Sequence, residues 1–96
     1  MYCNTIDVRR QLPEVTAEII QDSTVIYFID EADAYIDDKL REVYTVPFTT
    51  VPTSIARISA AFAAYLTLRT YPDQTVEEDL DRLYSDIMSR LSSYTS

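Results

Sequence analysis

The chain has 96 residues, of which 16 are acidic and eight are basic, so its formal net charge is −8. It contains no glycine, no histidine and one cysteine, which excludes glycine-rich phosphate loops, the common zinc sites and catalysis by an imidazole. The negative charge argues against binding to nucleic acid or to an anionic membrane, so we expect a single non-enzymatic domain over residues 1–96, with no catalytic residue, cofactor or metal ion.

Four prolines, at positions 13, 47, 52 and 72, divide the chain into segments, because proline is unfavourable inside a helix. The first segment predicts a helix over 5–12, with Asn4 or Thr5 as the N-cap. Residues 13–22 follow as a polar connector with room for a short helical turn. The chain therefore begins with a short helix and a connector.

A longer helix is predicted over 23–43, with Asp22 or Ser23 as its cap. Its apolar residues recur every three or four positions, which places them on one helix face. They are Val25, Ile29, Ala32, Ile36, Leu40 and Val43. The segment Thr24–Ile29 also has the composition of a strand, but the apolar periodicity continues far beyond it and favours the helix.

Residues 44–53 are expected to form an extended, stiff connector, since they combine β-branched residues with two prolines. A third helix is predicted over 53–70, and its many alanines indicate a thin helix at the centre of a bundle. The last helix is predicted over 75–92, where Thr75 and Glu78 form a capping box and the final residues fray. The sequence thus predicts an all-α bundle of about four helices.

The connector and the last tyrosine are the candidate interaction surface. A solvated loop has no need of Phe48, and tyrosine is enriched where proteins meet. The candidate interface residues are Tyr44, Val46, Pro47, Phe48, Val51, Pro52 and Tyr94. Covering the core is the competing role for the same side chains, and the sequence leaves both roles open.

Acidic residues are concentrated in two stretches. Residues 22–42 hold seven acids and residues 73–86 hold six, whereas residues 43–72 hold none. Asp30, Asp33 and Asp37 share a helix face, but exposed carboxylates at this spacing are usually only hydrated. Either the third helix is buried between two solvated helices, or the acidic faces meet a partner or line a passage for DNA.

The order of these motifs resembles that of the small head–tail connector (adaptor) proteins of tailed bacteriophages and prophages, including their uncharacterised Mu-like relatives. The similar features are a Met-Tyr start with a short helix, a central helix running into a proline-containing connector, an alanine-rich helix and an acidic start to the last helix. The residues that carry it are Met1, Tyr2, Ile29, Ala32, Ile36, Asp37, Arg41, Tyr44, Pro47, Phe48, Pro52, Ile55, Ile58, Ala64, Tyr65, Leu68, Tyr71 and Val76 to Asp79. The absence of glycine departs from the usual pattern of this family.

The resemblance implies a structural protein of the virion. Such proteins form a ring, commonly a dodecamer, between the portal protein and a tail-completion or tail-terminator protein, and DNA only passes through the channel. The implied location is the head–tail junction, and the host cytoplasm during assembly. The alternative function is an acidic binding module, a DNA mimic or regulator, that occupies a basic surface of a host protein.

Overall fold

The computed structural model describes residues 1–12, 14–70 and 77–95, and it confirms the all-α bundle. Within these residues there is no strand. The helices are α1 (Thr5–Arg9), α2 (Glu14–Ile19), α3 (Asp22–Leu40), α4 (Thr53–Thr70) and α5 (Glu77–Thr95). Helix α2 lies within the segment 13–22, for which the sequence predicts a polar connector with room for one helical turn.

Helix α4 lies at the centre of the bundle and packs against α1, α3 and α5. Its alanines at 60, 61, 63 and 64 are at most 3% exposed. Small side chains allow neighbouring helices to approach closely, and a helix buried on most of its circumference is typical of a bundle centre. The predicted bounds of 53–70 and the central position are both confirmed.

Helix α3 buries the predicted apolar stripe. Val25, Ile29, Ala32, Ile36 and Leu40 are all inaccessible to solvent. Val43 was predicted to continue the stripe, but it is 55% exposed. The helix ends at Leu40, whose carbonyl oxygen accepts hydrogen bonds from the amides of Val43 and Tyr44 at 3.0 and 2.8 Å. This turn carries the chain out of the helix three residues before the predicted end.

The helix ends differ from the predictions in further places. Asn4 caps α1 as predicted and forms a capping box with Asp7, but α1 ends at Arg9 and continues to Leu12 only as turns. The N-cap of α3 is Gln21, not Asp22 or Ser23, and its side chain makes no capping hydrogen bond. Helix α5 continues to Thr95, three residues beyond its predicted end at 92. The predicted capping box at Thr75 lies outside the described residues.

The connector between α3 and α4 packs against the core. It has no regular secondary structure, bends at several residues, and contains a cis peptide bond between Val46 and Pro47. Val46, Phe48 and Val51 are partly buried against the core. The connector therefore lies against the helices along its length, which fixes the position of its outward-facing side chains.

Candidate protein-interaction surface

An aromatic row joins the connector to both ends of the chain. The Phe48 ring lies 5.7 Å from the Tyr2 ring and 6.1 Å from the Tyr44 ring, measured between centroids. The Tyr44 ring lies 6.1 Å from that of Tyr94. The structure therefore brings together three predicted interface residues, Tyr44, Phe48 and Tyr94. Tyr2 completes the row and was not among them.

Tyr2 ties the N-terminus and the connector to α3. Its amide donates to Asp33 Oδ2 at 2.9 Å, and its hydroxyl donates to Asp37 Oδ1. The same hydroxyl accepts a hydrogen bond from the amide of Phe48 at 3.2 Å. Burial, together with the hydrogen bond to Asp37, raises the pKa of Tyr2 to about 12. The phenol therefore stays protonated at neutral pH and remains a donor.

A polar cluster shares Asp33 with the hydrogen bonds of Tyr2. The buried Ser59 hydroxyl donates to Asp33 Oδ1 at 2.6 Å, and the Cys3 sulfur lies 3.2 Å from the same hydroxyl. Burial raises the pKa of the Asp33 carboxyl, although its hydrogen bonds with Ser59 and Tyr2 act in the opposite direction. Burial also raises the pKa of the Cys3 thiol. A thiol kept protonated in this way is a poor nucleophile, so the cluster is suited to holding the N-terminus in place.

The remaining predicted interface residues divide into an inner and an outer set. Val46, Phe48 and Val51 contact the core. Tyr44 is 39% exposed, and Pro47 and Pro52 are also exposed. The structure thus combines the two roles that the sequence left open, since one side of the connector covers the core and the other faces solvent.

A groove of about 550 Å³ lies between this connector, the start of α4 and the end of α5. We call it the arginine groove, and its lining includes Tyr44, Ser54, Arg57, Arg90, Ser93 and Tyr94. Arg90 forms an ion pair with Asp86 at 2.9 Å. Arg57 has no carboxylate within ion-pair distance among the described residues. The sequence analysis selected neither arginine. The lack of acids over 43–72 was a signal for Arg57, whereas nothing in the sequence pointed to Arg90.

Exposed acidic side chains lie on α3 outside its buried stripe, with Glu31 at the edge next to α4, where it lines a groove shared with Arg69 and Tyr84. Asp30, Glu31 and Asp38 are exposed there, and Tyr27 on the same face is 59% exposed. We call this set the acidic face of α3.

The three carboxylates that the sequence placed on one face of α3 have different surroundings. Asp33 and Asp37 accept hydrogen bonds from Tyr2, whereas Asp30 is exposed to solvent. Over 1–12, 14–70 and 77–95, no three Asp, Glu, Cys or His side chains are grouped as metal ligands would be. Two of the three carboxylates therefore serve to hold the N-terminus.

Comparison with known proteins identifies a family for the chain. A family model described as "Bacteriophage Mu, Gp36" matches residues 2–94, which is nearly the whole chain. No curated protein and no solved structure matches the chain. None of the helices in the described ranges combines the length and the apolar character needed to cross a membrane.

Proposed function

Because the chain belongs to the bacteriophage Mu Gp36 family, we propose that it is a non-enzymatic structural protein of the virion. In this proposal, copies of the chain form a ring at the head–tail junction, between the portal protein and the tail-completion or tail-terminator protein. DNA passes through the ring without sequence-specific contacts. The protein assembles in the host cytoplasm.

The observation that carries the proposal is the exposed apolar surface at the connector. Val43 and Tyr44 are 55% and 39% exposed, and Pro47 and Pro52 are exposed beside them. These side chains belong to a connector that Tyr2 and Phe48 hold against the helices, so the fold itself sets their positions. Tyrosine is enriched at protein interfaces, and a surface whose positions are already set by the fold loses less conformational entropy on binding.

Charge supports the passage of DNA through such a ring. The described part of α5 presents exposed carboxylates at Asp79, Asp81 and Asp86. These carboxylates repel the phosphate backbone at short range, and the repulsion is screened beyond roughly 8 Å at physiological salt. A channel lined by α5 would therefore not hold the DNA.

The proposal is tested by deleting the gene in the phage or prophage that carries it and examining the lysate by electron microscopy. We expect DNA-filled heads and separate tails, with full virions restored by the wild-type gene supplied in trans. A Tyr44→Asp variant should fail to restore them, whereas Tyr84→Asp, which changes a similarly exposed tyrosine outside the connector, should restore them. Complete virions without the protein would contradict the proposal and favour the acidic host-binding module.

A further inference from the structure

We propose that the arginine groove of one copy receives the acidic face of α3 from a second copy. The contact would join two different surfaces of the same chain, which is the arrangement that closes a ring. This inference rests on the proposed ring and names the side chains that hold it together.

The arginine groove is lined by groups that bind carboxylates. Arg57 lies in a stretch of sequence without acids, and no carboxylate lies within ion-pair distance of it among the described residues. Arg90 and the hydroxyls of Ser54 and Ser93 line the same space. Guanidinium groups bind carboxylates through paired, charge-assisted hydrogen bonds. An arginine without a carboxylate partner, in a groove of this size, therefore fits an acidic protein segment.

The acidic face of α3 has the matching features. Asp30 and Glu31 are exposed, and neither has a cation within ion-pair distance in the described ranges. They lie three and four residues after Tyr27, which places all three side chains on the same surface of the helix. Among the tyrosines that the structure describes, Tyr27 is the most exposed, at 59%. Its ring could pack against Tyr44 and Tyr94 while the two carboxylates reach the arginines.

The two surfaces cannot meet within one copy. The acidic face is exposed on α3, with Glu31 beside Arg69 near the end of α4, whereas the arginine groove opens between the start of α4 and the end of α5. A contact that uses both surfaces must therefore join neighbouring copies, each giving its acidic face to one neighbour and its groove to the other. Such a head-to-tail contact continues until the ring closes.

A second copy fits the groove better than a nucleic acid does. Binding to DNA or RNA requires a run of cations that neutralises several phosphates, and the groove has two arginines, one of them already paired with Asp86. Copies of this chain also repel one another through their net charge of −8. That repulsion is screened over roughly 8 Å, so the local pairing of arginines with carboxylates decides the contact.

The test exchanges the charges across the contact. Arg57→Glu and Glu31→Arg are purified separately, and their assembly is measured by sedimentation velocity and native mass spectrometry beside the wild type. Each variant alone should assemble roughly 100-fold more weakly, because every contact then places like charges together.

An equimolar mixture of the two variants should regain the wild-type assembly, because the two kinds of subunit can alternate around the ring. A wild-type groove then meets a wild-type acidic face at one contact, and the introduced glutamate meets the introduced arginine at the next. The double variant R57E/E31R should also assemble alone, since each of its contacts again pairs opposite charges.

Control variants show whether the chosen residues matter. Arg82→Glu and Asp81→Arg reverse exposed charges on α5 and should leave assembly unchanged. The inference is overturned if the mixture does not assemble, if Asp81→Arg replaces Glu31→Arg as the variant that pairs with Arg57→Glu, or if Arg57→Glu abolishes binding to a DNA duplex instead of self-assembly.

Failure of this inference can be told apart from failure of the proposed function. A wild-type chain that stays monomeric at all concentrations overturns the inference, while tailless heads in the deletion lysate would still support a role at the head–tail junction. Charge-dependent assembly together with complete virions in the deletion lysate would keep the inference and contradict the function.

Discussion

At the scale of single residues, the two carboxylates that face inward from α3 organise the candidate surface. Asp33 and Asp37 are one helical turn apart, and each accepts a hydrogen bond from Tyr2. The Tyr2 hydroxyl in turn accepts a hydrogen bond from the amide of Phe48. The position of the connector therefore depends on acids that the sequence shows only as part of a charged helix.

Replacing Asp33 with Asn should change how stability depends on pH. The raised pKa of Asp33 means that the folded state holds this proton more tightly than the unfolded chain does. The resulting stabilisation is fully present below the ordinary Asp pKa of about 3.9 and is lost as the pH rises through the raised pKa. Asn does not titrate, so the stability of Asp33→Asn should improve relative to the wild type between about pH 4 and pH 7.

The measurement is urea unfolding of both proteins across this pH range, followed by circular dichroism. Losing the acceptor for the Tyr2 amide should cost Asp33→Asn on the order of 1–3 kcal/mol at every pH, so the change with pH is the informative quantity. Asp30→Asn removes an exposed carboxylate from the same helix and is the matched control for net charge. A constant difference between Asp33→Asn and the wild type would show that folding does not perturb the Asp33 proton.

At the scale of elements, the alanines of α4 determine how closely the helices pack. Ala63 is completely buried, so the larger side chain in Ala63→Leu has no free space and must push its neighbours aside. We expect this overpacking to destabilise the fold by about 1–3 kcal/mol. Ala34→Leu makes the same change on the exposed side of α3 and should alter stability by less than about 0.5 kcal/mol. Chemical unfolding at concentrations where the chain is monomeric measures both. Equal costs for the two variants would mean that α4 is not tightly packed.

The long helices were predictable because periodicity records which face is buried. The stripe of α3 and the bounds of α4 followed from spacing and from proline positions alone. Val43 fits the same spacing, yet the turn after Leu40 takes it out of the helix, and spacing does not reveal where a helix stops. Helix α2 is six residues long, too short for a clear periodic signal.

The candidate site was predictable only in part, for a similar reason. Tyr44, Phe48 and Tyr94 were identified from local composition, because aromatic residues and prolines in predicted loops and at helix ends stand out in a sequence. Tyr2 and Asp33 are 31 residues apart, and no local pattern connects them. The arginine groove combines residues from the connector, α4 and α5, so its lining is visible only after the chain has folded.

At the scale of the whole molecule, the fold and the proposed assembly depend on different forces. The core is apolar and includes side chains from both ends of the chain. Of the four ion pairs in the described ranges, three join exposed residues that are three or four positions apart in the sequence. Such pairs contribute little to folding. The proposed contact between copies instead joins arginines to carboxylates across a surface.

Raising the salt concentration should therefore weaken the assembly of copies while leaving the stability of the folded chain nearly unchanged. Screening shortens from about 10 Å at 0.1 M to about 3 Å at 1 M ionic strength, so raising sodium chloride over this range should dissociate the wild-type assembly. The melting temperature of monomeric Arg57→Glu should change little over the same range, because its apolar core is not weakened by screening. Sedimentation velocity measures the assembly, and thermal unfolding measures the stability of the monomer. As a control, the double variant R57E/E31R should show the same salt dependence of assembly as the wild type. Assembly that strengthens with salt would indicate that apolar contacts at Tyr27, Val43 and Tyr44 hold the copies together and that the arginine groove does not.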